Sequence, residues 1–152
     1  MNYKTHLAFG FLLGYLAFQY ISTNNIYVFF AFVLIGAFLP DIDFSGSKIG
    51  KKFRITSFLI EKLFRHRGIF HSLFTAILLS VVVFIFTNKI YALAFFIGYL
   101  SHLISDGLTK TGINFLHPFM NLRLTGFIET NSFSETLFFV SILAIIVFLQ
   151  LI

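Results

Sequence analysis

The stretch Tyr91-Ala92-Leu93-Ala94-Phe95-Phe96-Ile97-Gly98-Tyr99-Leu100-Ser101-His102-Leu103-Ile104-Ser105-Asp106 reads as a membrane helix that ends on ionisable groups. No charged residue occurs until its last turns, where His102 and Asp106 stand four apart and project from one face. An imidazole and a carboxylate so placed make two ligands for one metal ion. The competing reading is a His–Asp hydrogen bond capping a membrane helix. Ionisable groups at membrane depth favour a functional role.

The rest of the chain has the same character. Of its 152 residues 58% are hydrophobic and 11% charged, with a mean hydropathy of +0.92. Soluble domains carry about 25% charged residues, so this composition indicates an integral membrane protein, organised as a single membrane domain over residues 1–152. The absence of cysteine excludes disulfides and thiolate chemistry and leaves His, Asp and Glu as ligands for any metal. The net charge of +5 points to anionic lipids or an anionic substrate. No nucleic-acid module and no obligate protein partner are evident.

Apolar runs cover roughly Leu7 to Ile21, Ile26 to Leu39, Ile69 to Phe86, Tyr91 to Ser105 and Thr136 to Ile152. The expected fold class is an all-α integral membrane bundle of about five transmembrane helices. The first run resembles a signal peptide, but no small-x-small cleavage site follows, so an uncleaved helix is expected. Between the second and third runs, Ile55, Phe58, Leu59 and Leu63 recur at helical spacing, with Glu61, Lys62 and Arg65 elsewhere on the wheel. That pattern predicts a short interfacial amphipathic helix.

Five spans place the amino terminus and residues 41–68 and 107–133 on one side. Ten of the eleven basic residues fall there, against Lys89 alone opposite. The positive-inside rule makes that side cytoplasmic. All five histidines and all six acidic residues share it or sit at helix ends opening onto it, which predicts a site on the cytoplasmic face.

Several polar clusters supply the candidates. Asp41 and Asp43 follow Pro40; in an extended segment residues two apart point the same way, giving a ligand and a general base, or else an ordinary Asp-rich turn. His66 and His71 flank Arg67-Gly68, where the glycine permits a bend and Arg67 could fork onto a phosphate. The alternative, a basic cluster binding headgroups, suits Arg65 better. His6 is a ligand or a snorkelling interfacial residue. Glu135 completes the capping box Ser132-Phe133-Ser134-Glu135 and is otherwise a candidate ligand or a support behind the ligands. His117 reads as a loop residue.

The order of these clusters resembles the YdjM-like integral membrane proteins, described as predicted LexA-regulated, membrane-bound metal-dependent hydrolases. The resemblance covers nearly the whole chain. It rests on Thr5-His6, Leu39-Pro40-Asp41-Ile42-Asp43, His66-Arg67-Gly68 with His71-Ser72, and Gly98-Tyr99-Leu100-Ser101-His102 through Asp106. It continues through Leu108-Thr109, Gly112 and Pro118-Phe119 to Thr130-Asn131-Ser132 before Glu135. At position 131 the family is expected to favour glycine. The family in turn looks similar to zinc-dependent phospholipases C and single-strand nucleases, whose His-x-x-x-Asp helix His102 and Asp106 match. The kinship implies that His6, Asp41, Asp43, His66 and His71 supply the remaining ligands or the base.

These readings converge on a hydrolase holding a divalent metal through His6, Asp43, His66, His71, His102 and Asp106. Zinc suits the N and O donors best, and manganese or iron also fits. Asp41 or Asp43 would act as base and Arg67 would neutralise developing charge. The expected substrate is a lipid or lipid-linked phosphoester arriving through the bilayer. The alternatives are a non-enzymatic membrane protein with a structural metal site, and an adaptor that binds anionic headgroups through Lys48 to Arg67. Transport is disfavoured, because the ionisable groups gather at one face and the spans are not broken centrally.

Overall fold

A computed structural model describes residues 1–43 and 69–151, with residue 43 described by its backbone alone. Among the described residues there are five α-helices: α1 (Tyr3–Phe18), α2 (Ile26–Phe38), α3 (Leu73–Phe86), α4 (Lys89–Gly107) and α5 (Phe133–Leu151). Two 3-10 turns, Leu39–Asp43 and Ile69–His71, follow α2 and precede α3. The expected amphipathic helix around Ile55–Arg65 lies outside the described residues, as do His66 and Arg67.

Small polar residues start the helices. Asn2, Asn25, Ser72 and Asn88 each present a side-chain oxygen to backbone N–H groups of the first turn, satisfying donors that a helix start leaves unpaired. Capping by Asn2 begins α1 at Tyr3 rather than near Leu7, which places His6 inside the helix. Ser72 begins α3 at Leu73, so that Ile69–His71 forms a separate turn. The Pro40-Asp41-Ile42-Asp43 segment is a 3-10 turn and not extended. The alternation expected to align Asp41 with Asp43 therefore does not apply.

α4 is the centre of the bundle. It packs most extensively on α2, and also against α1 and α3, while α5 rests on α1. Phe95, Tyr99 and Leu103 of α4 form a core with Ala76 of α3 and Ile113; Ala94 packs with Phe29 and Val33 of α2. The α2–α4 contact is backbone against backbone. A Cβ added to Gly98 would lie 1.9 Å from the Val33 carbonyl oxygen, and one at Gly36 would lie 2.2 Å from that of Phe95. Small residues permit this approach, the usual device where lipid supplies no hydrophobic drive between helices.

Among the described residues, α4 and α5, each 19 residues, are the two helices long and apolar enough to cross a membrane. α1, α2 and α3 have 16, 13 and 14 residues, short of the roughly 20 needed for a hydrocarbon core. Between α4 and α5 lies a feature the all-α expectation lacks: an antiparallel hairpin of β1 (Ile113–Asn114) and β2 (Arg123–Leu124).

Candidate metal centre

The polar helix ends meet at one pole of the bundle. α1 contributes His6, the turn after α2 contributes Asp41, the turn before α3 contributes His71, and the last turns of α4 contribute His102 and Asp106. His6, His71, His102 and Asp106 are at most 1% exposed; the Asp41 side chain is 13% exposed. Two groups, His6–Asp41–His102 and His71–His102–Asp106, each bring three ligand atoms within 4.8 Å of one another. Two buried His/Asp clusters capable of coordinating a metal ion are thus present, joined through His102.

The spacings are those of donors around a shared cation. His102 Nε2 lies 3.3 Å from His71 Nε2 and 3.9 Å from both Asp41 Oδ1 and Asp106 Oδ2. His71 Nε2 is 3.6 Å from Asp106 Oδ2, and His6 Nε2 is 3.4 Å from Asp106 Oδ1. Ligands about 2.1 Å from a tetrahedral ion stand about 3.4 Å from one another. The amino group of Met1 also meets Asp106 Oδ1.

Hydrogen bonding around the cluster fixes which ring nitrogens face inward. His102 Nδ1 lies 2.8 Å from the Ala37 carbonyl oxygen. A carbonyl only accepts, so Nδ1 carries the proton and Nε2 of the neutral ring presents its lone pair. Ser105 Oγ donates to the His102 carbonyl at 2.9 Å and stands 2.7 Å from His6 Nδ1. Having given its proton away, that hydroxyl accepts from His6 Nδ1–H, and His6 Nε2 is left bare. The rings of His6 and His102 stack at 3.8 Å and 12°, with His71 edge-on to His102 at 5.1 Å. His6 Nε2 is buried and has no hydrogen-bond partner. Such an orphan costs about 1–3 kcal/mol, and a cation among these donors would satisfy it. Imidazoles oriented by a second hydrogen bond at the far nitrogen are the usual arrangement at metal sites.

Glu135 has another occupation. Its Oε1 accepts from the Asn2 backbone N–H at 2.5 Å and from the Thr5 hydroxyl at 3.0 Å, and its Oε2 accepts from Asn131 N–H at 2.6 Å. It belongs to neither ligand group among the described residues. It ties the start of α1, just before His6, to the start of α5. The local capping survives in part, with Ser132 Oγ accepting from Glu135 N–H at 3.4 Å. Asn131 adopts φ +61°, a conformation natural to glycine and better tolerated by Asn than by most other residues; the residue at 131 thus keeps the backbone geometry that glycine would serve.

Of the expected site residues, His6, Asp41, His71, His102 and Asp106 come together. The Asp43 side chain, His66 and Arg67 lie outside the described residues. Sequence reading missed Ser105 and the Ala37 carbonyl. Ser105 stands three residues after His102 on the same helix face, a visible cue; Ala37 is reached only through the tertiary contact of α2 with α4.

Comparison with known proteins agrees with this pattern. The YdjM inner membrane protein family matches residues 1–151. The uncharacterized protein YvsG of Bacillus subtilis is 36% identical over 139 residues, covering 90% of this chain and 86% of that protein. Inner membrane protein YdjM of Escherichia coli is 31% identical over 91 residues, 56% of this chain but 46% of that protein, so the match spans about half its length. No solved structure matches the chain. With nearly its whole length covered, the chain belongs to the YdjM family of inner-membrane proteins.

Proposed function

We propose that the chain is a metal-dependent hydrolase acting on a lipid or lipid-linked phosphoester at the cytoplasmic face of the bacterial inner membrane. The observation that carries this reading is the buried Nε2 of His6, without a hydrogen-bond partner, among the ligand atoms of Asp41, His102 and Asp106. In this reading all five helices span, the shorter ones through locally thinned bilayer, and the cluster lies at the loaded side of the membrane. His6, His71, His102 and Asp106 would hold a divalent ion, zinc before manganese or iron. When bound, the ion would supply Lewis acidity and a water made nucleophilic at neutral pH. Asp41, the most exposed member of the cluster, would take the proton at its Oδ1. Asp43, His66 and Arg67 keep the roles their sequence positions suggest: base or ligand, ligand, and neutraliser of charge on the phosphoryl oxygens.

A second reading has its own support. Closed sites are the mark of structural metals, and four of the five residues are almost fully buried. Lys4 lines a cavity of about 330 Å³ with Asn2, Thr5, Asn131, Glu135, Thr136 and Phe139, where an anionic headgroup would meet the Lys4 ammonium beside the Glu135 carboxylate. A non-enzymatic protein with a structural metal and a headgroup pocket would have both features.

Elemental analysis of detergent-purified protein, never exposed to chelator, beside the His102→Ala/Asp106→Ala variant is the first test. Near-stoichiometric metal that disappears in the variant is expected; a folded wild type without metal refutes the reading. Asp41→Asn and Asp43→Asn then separate the two functions. The hydrolase predicts a variant that keeps its metal and loses phosphoester cleavage, whereas a structural site predicts no cleavage in any form.

A further inference from the structure

The hairpin between α4 and α5 is held firmly at its base and apolar at its tip. Ile113 is 1% exposed in the core beside Tyr99 and Leu103. Phe115 pairs with Leu122, N–H to carbonyl, and its own carbonyl accepts from Leu73 N–H at 2.9 Å, joining the hairpin to the start of α3. Lys110 and Glu129 close the base with an exposed ion pair at 2.7 Å; Lys110 holds the Glu129 carboxyl below its ordinary range. Beyond this base Phe119 is 75% exposed and Met120 61%; Phe127 lies at the base itself, between Gly126 and Ile128, whose N–H groups bond to the Thr109 and Leu108 carbonyls.

A water-facing loop has no use for two large apolar side chains so displayed, and the pinned base prevents them from folding inward. The bilayer is the occupant that the surroundings select. The two ends of the hairpin grow from α4 and α5, the helices suited to crossing the membrane, so its tip cannot stray far from the headgroups. Phe119 packs edge-on against Phe74 of α3 at 5.4 Å, at the foot of the exposed apolar face of Ile77, Leu78 and Val81. The tip therefore continues a surface that in an inner-membrane protein meets acyl chains. Between Phe115 and Ile128 the single charged residue is Arg123, which suits anionic headgroups and can snorkel to them.

We propose that Phe119 and Met120 insert into the headgroup–acyl boundary of the membrane that α4 and α5 cross, as an interfacial wedge beside the His71 side of the His/Asp cluster. This placement does not depend on any reaction at that cluster.

The chain has no cysteine, so single nitroxide labels can be introduced directly into the full-length protein. F119C and M120C would be reconstituted in vesicles containing anionic phospholipid and compared with K110C and E129C. Collision with oxygen, which concentrates in lipid, and with a water-soluble nickel chelate is then measured. Tip labels that collide preferentially with oxygen, with the two base labels favouring nickel, are the expected result. Tip labels as open to nickel as the base labels would overturn the proposal. Tip labels shielded from both reagents would also overturn it, assigning the tip to a protein surface such as a second copy.

Discussion

Gly98→Ala tests the link between helix packing and the metal cluster. The added Cβ would stand 1.9 Å from the Val33 carbonyl oxygen and 2.9 Å from Ala37 N. A carbon–oxygen contact needs about 3.3 Å, so α2 and α4 must separate there by about 1.4 Å, and no flexible side chain is available to yield instead. One turn further along the same interface His102 Nδ1 donates to the Ala37 carbonyl at 2.8 Å; the same displacement stretches that pair to about 4 Å, beyond hydrogen bonding. Overpacking costs about 1–3 kcal/mol, offset by about 1 kcal/mol of helix propensity gained on replacing glycine. His102 would lose the bond that orients its ring, and such losses weaken metal binding about 10–100-fold. The assay is competition against a chromophoric chelator in detergent, together with thermal unfolding. Gly107→Ala is the control, since its Cβ would sit at an ordinary 3.7 Å from Leu124 Cβ. Unchanged metal affinity in Gly98→Ala would refute the orienting role of Ala37, whatever happens to the melting temperature.

Ser105→Ala removes the acceptor of His6 Nδ1–H; a buried donor left unpaired should lower stability by about 1–3 kcal/mol, seen as a lower Tm, with weaker metal binding beside it. Glu135→Ala strips the acceptor from Asn2, Thr5 and Asn131 together and should destabilise by several kcal/mol, on the order of 3. Glu135→Gln should recover part of the Tm, and equal losses in the two variants would deny Glu135 its acceptor role. Metal affinity should fall on acidification, because His6, His71 and His102 must be neutral to bind: protons compete increasingly as pH drops, and metal addition at mildly acidic pH releases protons measurable with an indicator dye. A pH-independent affinity would exclude these imidazoles as ligands.

Much of this was legible in the sequence for local reasons. The four-residue spacing of His102 and Asp106 survives because α4 is a regular helix through Gly107. The gathering of polar residues at one pole follows from the alternating direction of the helices. What escaped depends on backbone detail or distance. Pro40 suggested an extended continuation, yet proline is tolerated in a first helical turn, and the chain takes a 3-10 path through Asp41. The two-residue strands are too short for any alternating pattern to register. Local cues identified Glu135 as a helix-capping residue, but its bond to Asn2, 133 residues away, has no sequence signal. The same holds for Ala37, whose carbonyl reaches His102 across 65 residues.

The pairing of His6 with Ser105 across 99 residues has a consequence for biogenesis. At synthesis rates of about 5–20 residues per second, roughly 5–20 s separate the emergence of the two partners. During that interval the His6 imidazole near the start of α1 waits without the Ser105 hydroxyl it pairs with in the folded chain. An ion held by this cluster would find its donors complete only once α4 has been made, so metal uptake would report that α4 has joined α1.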